Sequence, residues 1–382
     1  MPRGTEVPIT PGVLSWAVEE SGYTDEQLAA HIGVSLDDLA SWKRGDTRPT
    51  LTPLKKLATK LHRQFATFLL PAPPKRGALR VQFRSIGSQP PRELSPMERR
   101  YLRRARRQQE IIGWLSQELN EPAPHLPRHS LSDSSTKAGA VMRDRLNIEF
   151  SQQANWTSPS RAFDHWREAV GDIGVAVFVY SLGRDSCNGF SLWHERAPVI
   201  VVSSAWREEA RIFTLFHELG HLLLRGSSAC LERVGRLRND PIERWCEQFS
   251  AAVLLPAGAI DEILQRIGSV GRVRELSVAR TVARRARISL RAATLRLIEL
   301  GRASWDLYDD IPPVTDKKPE GGGGGGGRNR LAVKEDEFGS RAARVFVDAV
   351  RNDLLSRSQA VEYLDISDAA FDDLASSLSP AR

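Results

Sequence analysis

Residues 213–224 read FTLFHELGHLLL and contain the pentad HELGH at positions 217–221. Two histidines four positions apart, His217 and His221, share one face of an α-helix, so both imidazoles can reach a single Zn²⁺ ion. Glu218 follows the first histidine directly, where its carboxylate can accept a proton from a water molecule at the metal. The apolar residues around the pentad indicate that this helix is buried. The stretch therefore predicts a helix that carries two zinc ligands and a general base.

The composition of the chain is that of a soluble multidomain protein. Its 382 residues are 41% hydrophobic, which allows two or three domains with a sizeable core. No run of eighteen apolar residues predicts a transmembrane helix, and the first residues lack the apolar stretch of a signal peptide. Cys187, Cys230 and Cys246 are too few and too scattered for a disulfide framework. These features predict a cytoplasmic protein without a membrane partner.

The net charge of +7 is concentrated in one stretch of the chain. Residues 75–107 contain eleven Lys or Arg against two Glu. A nucleic-acid surface is one interpretation of such a cluster. The sequence between 94 and 120 also has the pattern of one long helix, and we favour a basic face exposed to solvent on that helix.

The first seventy residues have the pattern of a helix-turn-helix. Thr24 begins a capping box with Gln27, the turn Gly33-Val34-Ser35 follows, and Ser35 caps a second helix that ends at Gly45. The stretch 27–61 resembles the helix-turn-helix of the XRE, or Cro/repressor, family. The resemblance implies a five-helix bundle with a recognition helix that begins after Ser35.

The charges of this domain leave two roles open. The predicted recognition helix presents acidic residues and Ser41, with Lys43 and Arg44 only at its end, and residues 1–70 carry eight basic and eight acidic side chains. Ser35, Ser41, Lys43 and Arg44 are the candidate contacts to DNA or to a partner. Because carboxylates repel phosphates, docking of a protein with a similar fold is as well supported as operator binding.

The remaining sequence predicts a protein that is mainly α-helical with a small β-sheet. Strands are expected at 174–180, 188–192 and 198–202, and the last of these is a candidate edge strand for pairing with substrate. A run of seven glycines at 321–327 predicts a linker. The expected domains are a helix-turn-helix domain, a linker with a long basic helix, a zincin-like α+β peptidase domain, a glycine-rich linker and a small helical module, at 1–72, 73–136, 137–305, 306–330 and 331–382.

A zinc site needs a third protein ligand besides the two histidines. The stretch 242–256, IERWCEQFSAAVLLP, carries Glu243 and Glu247 four positions apart on one helix face. One of these carboxylates can bind the metal, and the other can accept the free N–H of a ligating histidine.

Together, FTLFHELGHLLL and ERWCEQFSAAVLLP resemble the metallo-endopeptidases of the ImmA/IrrE family, whose pattern is HExxH followed by a helix with E-x-x-A-(N/D)-x-F-A-x-x-L-L-x-P. The resemblance implies that His217, His221 and Glu243 bind Zn²⁺ and that Glu218 is the general base. Glu247 stands where the family has Asn or Asp, and Cys246 and Ser250 replace alanines. The resemblance also implies a regulatory protease that cuts a small helix-turn-helix repressor and so derepresses stress, defence or mobile-element genes.

A second hypothesis is a binding protein without turnover. In that case the chain is a DNA-binding transcriptional regulator or an antitoxin-like factor, and its zinc site is structural or vestigial. Zinc content, cleavage of a partner and the salt dependence of DNA binding separate the two hypotheses.

Overall fold

The computed structural model describes residues 5–74, 94–183, 186–226, 228–230, 240–269, 271–312 and 330–378. The chain divides into two compact units, Met1–Arg80 with Arg92–Arg104, and Val81–Pro91 with Ala105–Arg382. Among the described residues, no helix combines the length and the apolar character that crossing a bilayer requires.

The first unit is a small helical bundle. Its helices are α1 (Pro11–Ser21), α2 (Asp25–Ile32), α3 (Leu36–Arg44), α4 (Leu51–Leu61) and a 3₁₀ helix at Phe65–Leu69. The five predicted helices are therefore confirmed, and the fifth is a 3₁₀ helix. The capping box of Thr24 and Gln27 forms, Ser35 forms a second one with Asp38, and Gly45 ends α3 in the left-handed conformation.

The long basic helix is α5 (Pro96–Glu118). The prediction of a single helix is confirmed, but the prediction of a basic face exposed to solvent is not. Arg99 and Arg103 are half-buried within the first unit, where they donate hydrogen bonds to the carbonyls of Leu94 and Glu20. Arginine stems pack against apolar surface while the guanidinium finds carbonyl acceptors, and a helical charge pattern alone does not reveal this. Residues 75–93 of the basic stretch lie outside the described part of the chain.

Helices make up most of the second unit. They are α6 (Ser135–Arg145), α7 (Phe150–Asn155), α8 (Pro159–Asp172), α9 (Glu208–Leu223), α10 (Pro241–Leu254), α11 (Ala257–Arg266), α12 (Leu276–Ala286), α13 (Leu290–Glu299), α14 (Trp305–Asp309), α15 (Arg330–Arg351), α16 (Arg357–Leu364) and α17 (Asp368–Ser377).

The described strands of this unit form one sheet. β1 (Ala176–Tyr180), β2 (Gly189–Leu192), β3 (Val199–Ser203) and β4 (Ser228–Cys230) lie in the order β1-β3-β2-β4. β3 is parallel to β1 and antiparallel to β2, and β4 is antiparallel to β2. The three predicted strands are therefore confirmed, but the prediction that the strand at 198–202 lies at the edge is wrong. Every residue of β3 is buried, as expected for a strand with a neighbour on each side.

Two segments that the sequence separates from the peptidase domain pack within the second unit. In the predicted linker, Leu126 is buried in the main core, and the His129 amide donates to the Leu223 carbonyl. The predicted C-terminal module is helical, and α15 lies against β1 and α8. Arg341 of α15 holds Glu121 through two N–H groups, at 3.1 and 2.7 Å. Of the predicted glycine-rich linker, 306–312 includes most of α14, whereas 313–329 lies outside the described residues.

Candidate metal centre

Helix α9 carries the pentad through the interior of the second unit. Every residue of α9 from Arg211 to Leu223 is buried, because one side of the helix covers β2 and β3 and the other sides meet α8 and α10. His217 is 8% exposed and His221 is 3% exposed. Both imidazoles are thus buried, on a helix that is packed on several sides.

Helix α10 brings Glu243 to the two histidines. Asp240 caps this helix by accepting hydrogen bonds from the Ile242 and Glu243 amides, and Pro241 occupies its first position. Glu243 therefore falls in the first turn, where the positive end of the helix dipole favours a carboxylate. Its side chain is 7% exposed.

Three donor atoms converge between α9 and α10. The Nε2 atoms of His217 and His221 are 3.2 Å apart. His217 Nε2 lies 2.9 Å from Glu243 Oε2, and His221 Nε2 lies 3.4 Å from Glu243 Oε1. Ligands about 2.0–2.1 Å from a tetrahedral zinc ion are separated by roughly 3.3 Å. The donor set of two imidazole nitrogens and one carboxylate oxygen, with spacings of this size, fits a metal ion such as zinc.

The electrostatics of the cluster reflect its burial. Burial by itself lowers the pKa of His217, but the hydrogen bond and the charge of Glu243, with the charges of Glu218 and Glu247, raise it to about 9. Burial raises the pKa of Glu243, but hydrogen bonds from His217 and His221 hold it well below its usual range.

Glu218 lies beside the sheet rather than among the three donors. Its side chain is fully buried, and its neighbour in the sheet is Gly189 of β2. A Cβ atom at Gly189 would stand 2.5 Å from the Val201 carbonyl oxygen, 2.7 Å from Thr214 Cγ2 and 3.6 Å from Glu218 Cγ. Because position 189 has no side chain, β2 approaches α9 at the turn that carries Glu218. A glycine inside a β-prone run is the sequence signal for such a close approach.

Gly220, inside the pentad, has the same effect on the other side of α9. A Cβ atom there would lie 3.1 Å from Cys246 Sγ and 3.2 Å from Cys246 Cα. The absence of this atom lets α10 approach closely enough for Glu243 to meet the histidines. Burial, followed by the charges of Glu243 and Glu218, raises the pKa of the Cys246 thiol well above its usual value, so this cysteine is a neutral packing residue.

Glu247 lies one turn after Glu243 on α10 and lines a cavity. Its charge contributes to the raised pKa of His217. The hydrogen bond from a histidine to Glu247, which the sequence suggests, stays a prediction.

The candidate contacts of the helix-turn-helix lie in the first unit and are engaged in local interactions. Lys43 Nζ is 2.8 Å from Asp25, and Arg44 Nε is 2.7 Å from Asp46. The Ser41 hydroxyl is hydrogen-bonded to the Thr47 hydroxyl, and the Ser35 hydroxyl caps α3.

Comparison with known proteins gives one family match in each of the two compact units. Residues 170–297 match the family model of the IrrE N-terminal-like domain, Peptidase_M78, and residues 14–68 match a helix-turn-helix model. The radiation response metalloprotease IrrE of Deinococcus radiodurans is 36% identical over 106 residues, which cover 26% of this chain and 31% of that relative. The protein of the same name in Deinococcus deserti is 38% identical over 106 residues, covering 26% of this chain and 36% of the relative. The chain thus spans about a third of the length of these curated relatives.

Proposed function

We propose that this chain, which carries an IrrE-like domain behind a helix-turn-helix domain, is a zinc-dependent metallo-endopeptidase that cleaves a partner protein at a limited site. The observation that carries the proposal is the convergence of His217, His221 and Glu243 in a buried cluster, with Glu218 on the same helix. The alternative donor sets for a structural zinc site are rich in cysteine and closed, whereas this set has three donors.

The proposed reaction is hydrolysis of a peptide bond. His217, His221 and Glu243 would hold the zinc ion, which supplies a Lewis acid that polarises the scissile carbonyl and acidifies water. The Glu218 carboxylate accepts a proton from the attacking water and passes it to the nitrogen of the leaving amine. The buried position of Glu218 strengthens its interaction with the developing charges, because water does not screen them there. Gly189 and Gly220 act only by positioning the elements that carry these groups.

We assign the helix-turn-helix domain to docking of the substrate, a small repressor with the same type of domain. Lys43 and Arg44 are paired with Asp25 and Asp46, so these two cations would have to give up carboxylates to bind phosphates. Leu36 at the start of α3 is 45% exposed and Leu51 at the start of α4 is 39% exposed, which suits an apolar protein contact. A protease that cuts only a docked repressor would change transcription without degrading other proteins.

The substitution Glu218→Gln tests the proposal. We expect this variant to keep one zinc ion per chain, measured by mass spectrometry of the metal, and to lose cleavage by a factor of about 10²–10⁴. The matched control is Glu262→Gln on α11, since the side chain of Glu262 is 67% exposed. Proteins retained by the immobilised Glu218→Gln variant are identified and then incubated with the zinc-loaded wild type.

The outcome also separates the two hypotheses from the sequence. Cleavage of a retained repressor by the wild type, and not by the Glu218→Gln variant, supports the protease. If Glu218→Gln cuts as fast as the wild type, the assigned general base is wrong. Tight DNA binding with a steep salt dependence and no cleavage would instead support a regulator with a vestigial zinc site.

A further inference from the structure

A cluster of cationic side chains lies in the first unit, away from the recognition helix α3. Its members come from the end of α4, from the turn after it and from the start of α5, and we call them the basic cluster: Lys60, His62, Arg63, Arg99, Arg100 and Arg103. The chain changes direction after α4, because His62 ends this helix in the left-handed conformation. The cluster is thus built from residues far apart in the sequence.

The end of α1 holds the two halves of the basic cluster together. The Glu20 carboxylate lies 2.5 Å from Nη2 of Arg63, and the Glu20 carbonyl accepts a hydrogen bond of 2.9 Å from Arg103. Arg99 packs on Gly22, where a Cβ atom would lie 2.8 Å from the Arg99 Cδ atom. The arginine side chains are therefore fixed by packing and by a main-chain carbonyl as well as by an ion pair.

The positive charge of the basic cluster is not balanced by carboxylates. Main-chain carbonyls accept the hydrogen bonds of Arg99 and Arg103, but a carbonyl carries no net charge. Within the described residues, the carboxylate paired with a member of the cluster is that of Glu20, through Arg63. Glu98 at the start of α5 is buried. Even with Glu98 counted, five lysine and arginine side chains stand against two carboxylates.

The pKa values of two members reflect this positive potential. Partial burial and three neighbouring positive charges lower the pKa of His62 to about 4. These charges belong to Arg100, Arg103 and Lys60. Burial lowers the pKa of Arg103 to about 10, and of the four charges that act on it, only that of Glu20 is negative. The basic cluster therefore attracts anions, and His62 is neutral at pH 7.

Part of the basic cluster is accessible to solvent. Lys60, His62 and Arg100 each keep some exposed surface. The Lys60 ammonium lies 4.7 Å from the ring centre of Tyr23, and the Arg100 guanidinium lies 5.3 Å from that of Tyr101. In the part of the chain that the structure describes, neither cation is paired with a carboxylate. An anion can thus bind these two side chains without displacing another one.

Duplex DNA is the anion that best fits this surface. It carries one negative charge per ~1.7 Å of its axis, and neutralising its phosphates releases condensed counterions. An extended acidic peptide carries at most one charge per ~3.3 Å, so fewer of its charges reach the same area. Arginine is weakly hydrated, and its planar N–H groups match phosphate oxygens. Lys43 and Arg44 of α3 would have to give up Asp25 and Asp46 to bind phosphates, whereas the exposed part of the cluster would not.

We propose that the basic cluster binds the phosphate backbone of duplex DNA, in a contact that is independent of base sequence and does not use the recognition helix α3. The inference goes beyond the proposed protease function and does not depend on it, because the basic cluster and the candidate metal centre belong to different units. Such a contact would bring the chain to the DNA on which a repressor is bound.

The salt dependence of DNA binding tests the inference. The zinc-loaded full chain is titrated into a labelled short duplex of mixed sequence, and fluorescence anisotropy gives the affinity at several salt concentrations. If about four phosphates are neutralised, log K should fall against log salt with a slope of about −3.6. Lys60→Gln with Arg100→Gln should make the slope shallower by about two and lower the affinity by about tenfold or more. A duplex of unrelated sequence should bind as tightly as the first.

Two further pairs of substitutions locate the contact. Arg266→Gln with Arg302→Gln removes the same charge from exposed ion pairs of the second unit and should keep the affinity within about twofold. Lys43→Gln with Arg44→Gln tests α3 and should cost less affinity than the change in the basic cluster. A larger loss from the α3 pair, or equal affinities of the cluster variant and the Arg266 and Arg302 control, would overturn the inference. Competition by polyglutamate as strong as that by the duplex would overturn the assignment to nucleic acid.

The titration of His62 provides a second measurement at the basic cluster itself. Bound phosphates would offset the charges of Lys60, Arg100 and Arg103, so the pKa of His62 should rise from about 4 towards 6.5. Proton NMR of the imidazole ring measures this pKa with and without DNA, and His62→Gln assigns the signal. An unchanged pKa at saturating DNA would overturn the inference. Loss of DNA binding leaves the proposed protease intact, and absence of cleavage leaves the DNA contact intact.

Discussion

At the scale of single residues, the packing around the candidate metal centre depends on a glycine, which leaves room for a neighbouring helix because it has no Cβ atom. Gly220 lies in the pentad between Glu218 and His221, and it allows Cys246 of α10 to touch α9. The histidines and Glu218 are readable from the sequence because zinc chemistry requires those residue types at that spacing. The close contact at Gly220 could not be predicted from the sequence, because a glycine within a helix also occurs without any packing reason.

We expect Gly220→Ala to destabilise the second unit by about 1–3 kcal/mol and to weaken binding of the proposed metal ion, because the added methyl group pushes α10 and Glu243 away from the histidines. Thermal unfolding and metal content measure the two effects. The control is Gly258→Ala on α11, where a Cβ atom would meet nothing within 4 Å. Alanine should be neutral or slightly stabilising there. Equal behaviour of the two variants would contradict the packing role of Gly220.

Glu299 gives a prediction about pH. Its burial raises its pKa to about 7, although the hydrogen bond and the charge of Arg296 act in the opposite direction. The folded protein therefore binds this proton more tightly than the unfolded chain, so the contribution of Glu299 to stability is fully present below about pH 4.5 and is lost as the pH rises through 7. Glutamine at this position mimics the protonated form and keeps an acceptor for Arg296.

We expect Glu299→Gln to flatten the fall in unfolding free energy between pH 5 and pH 8, by about 3 kcal/mol at most. Denaturant unfolding at a series of pH values measures the profile. Glu262→Gln, a change at an exposed carboxylate, should leave the profile as it is in the wild type. A profile for Glu299→Gln that runs parallel to the wild type would show that Glu299 does not titrate in this range.

At the scale of helices and strands, the sequence predicts which elements exist better than it predicts which elements lie next to each other. The periodic apolar residues around the pentad predict α9, and the β-branched runs predict β1, β2 and β3. The position of β3 between β1 and β2 could not be predicted, because pairing depends on residues far apart in the chain. β4 is short, and a three-residue strand carries too little periodicity to be recognised.

Helix α15 shows how one residue shapes an element. Gly339 interrupts it with φ 69° and ψ 163°, a backbone conformation that is essentially limited to glycine. A Cβ atom at this position would lie 2.9 Å from the Val177 carbonyl oxygen and 2.9 Å from Arg167 Nε. The break therefore lets α15 pass close to β1.

We expect Gly339→Ala to destabilise the second unit by about 2–4 kcal/mol, since backbone strain and the contact with Val177 add together. Gly268→Ala is the control, because Gly268 also has φ 69° but a Cβ atom there meets nothing within 4 Å. It should cost about 1–2 kcal/mol from the backbone alone. Chemical denaturation of the two variants compares these contributions, and equal losses would rule out the steric contact.

At the scale of the whole molecule, the types of domain were predictable from the sequence, whereas the packing of distant segments against one another was not. A helix-turn-helix and an IrrE-like domain follow from local motifs, and both match known families. Composition that disfavours regular structure does not tell whether a segment packs in the core. Proline, histidine and serine in 121–136 disfavour regular structure, but Leu126 is buried in the core and the His129 amide donates to the Leu223 carbonyl. Likewise, the glycine run suggests that the C-terminal helices stand apart, whereas Phe338 packs against Phe178 of β1.

The packing of α15 against β1 has a consequence for folding of the chain during its synthesis on the ribosome. β1 lies at one end of the strand order. Arg167 donates two hydrogen bonds to the Val177 carbonyl of this strand, and α15 packs against it. Arg351, the end of α15, is made roughly 170 residues after Tyr180, which at about 5–20 residues per second takes on the order of 10–35 s. During that interval the nascent chain presents an open strand edge, a template for mispairing with other chains. Slow translation of the glycine codons for residues 321–327 would lengthen this interval. The yield of correctly folded protein should therefore depend on the speed of synthesis at that run.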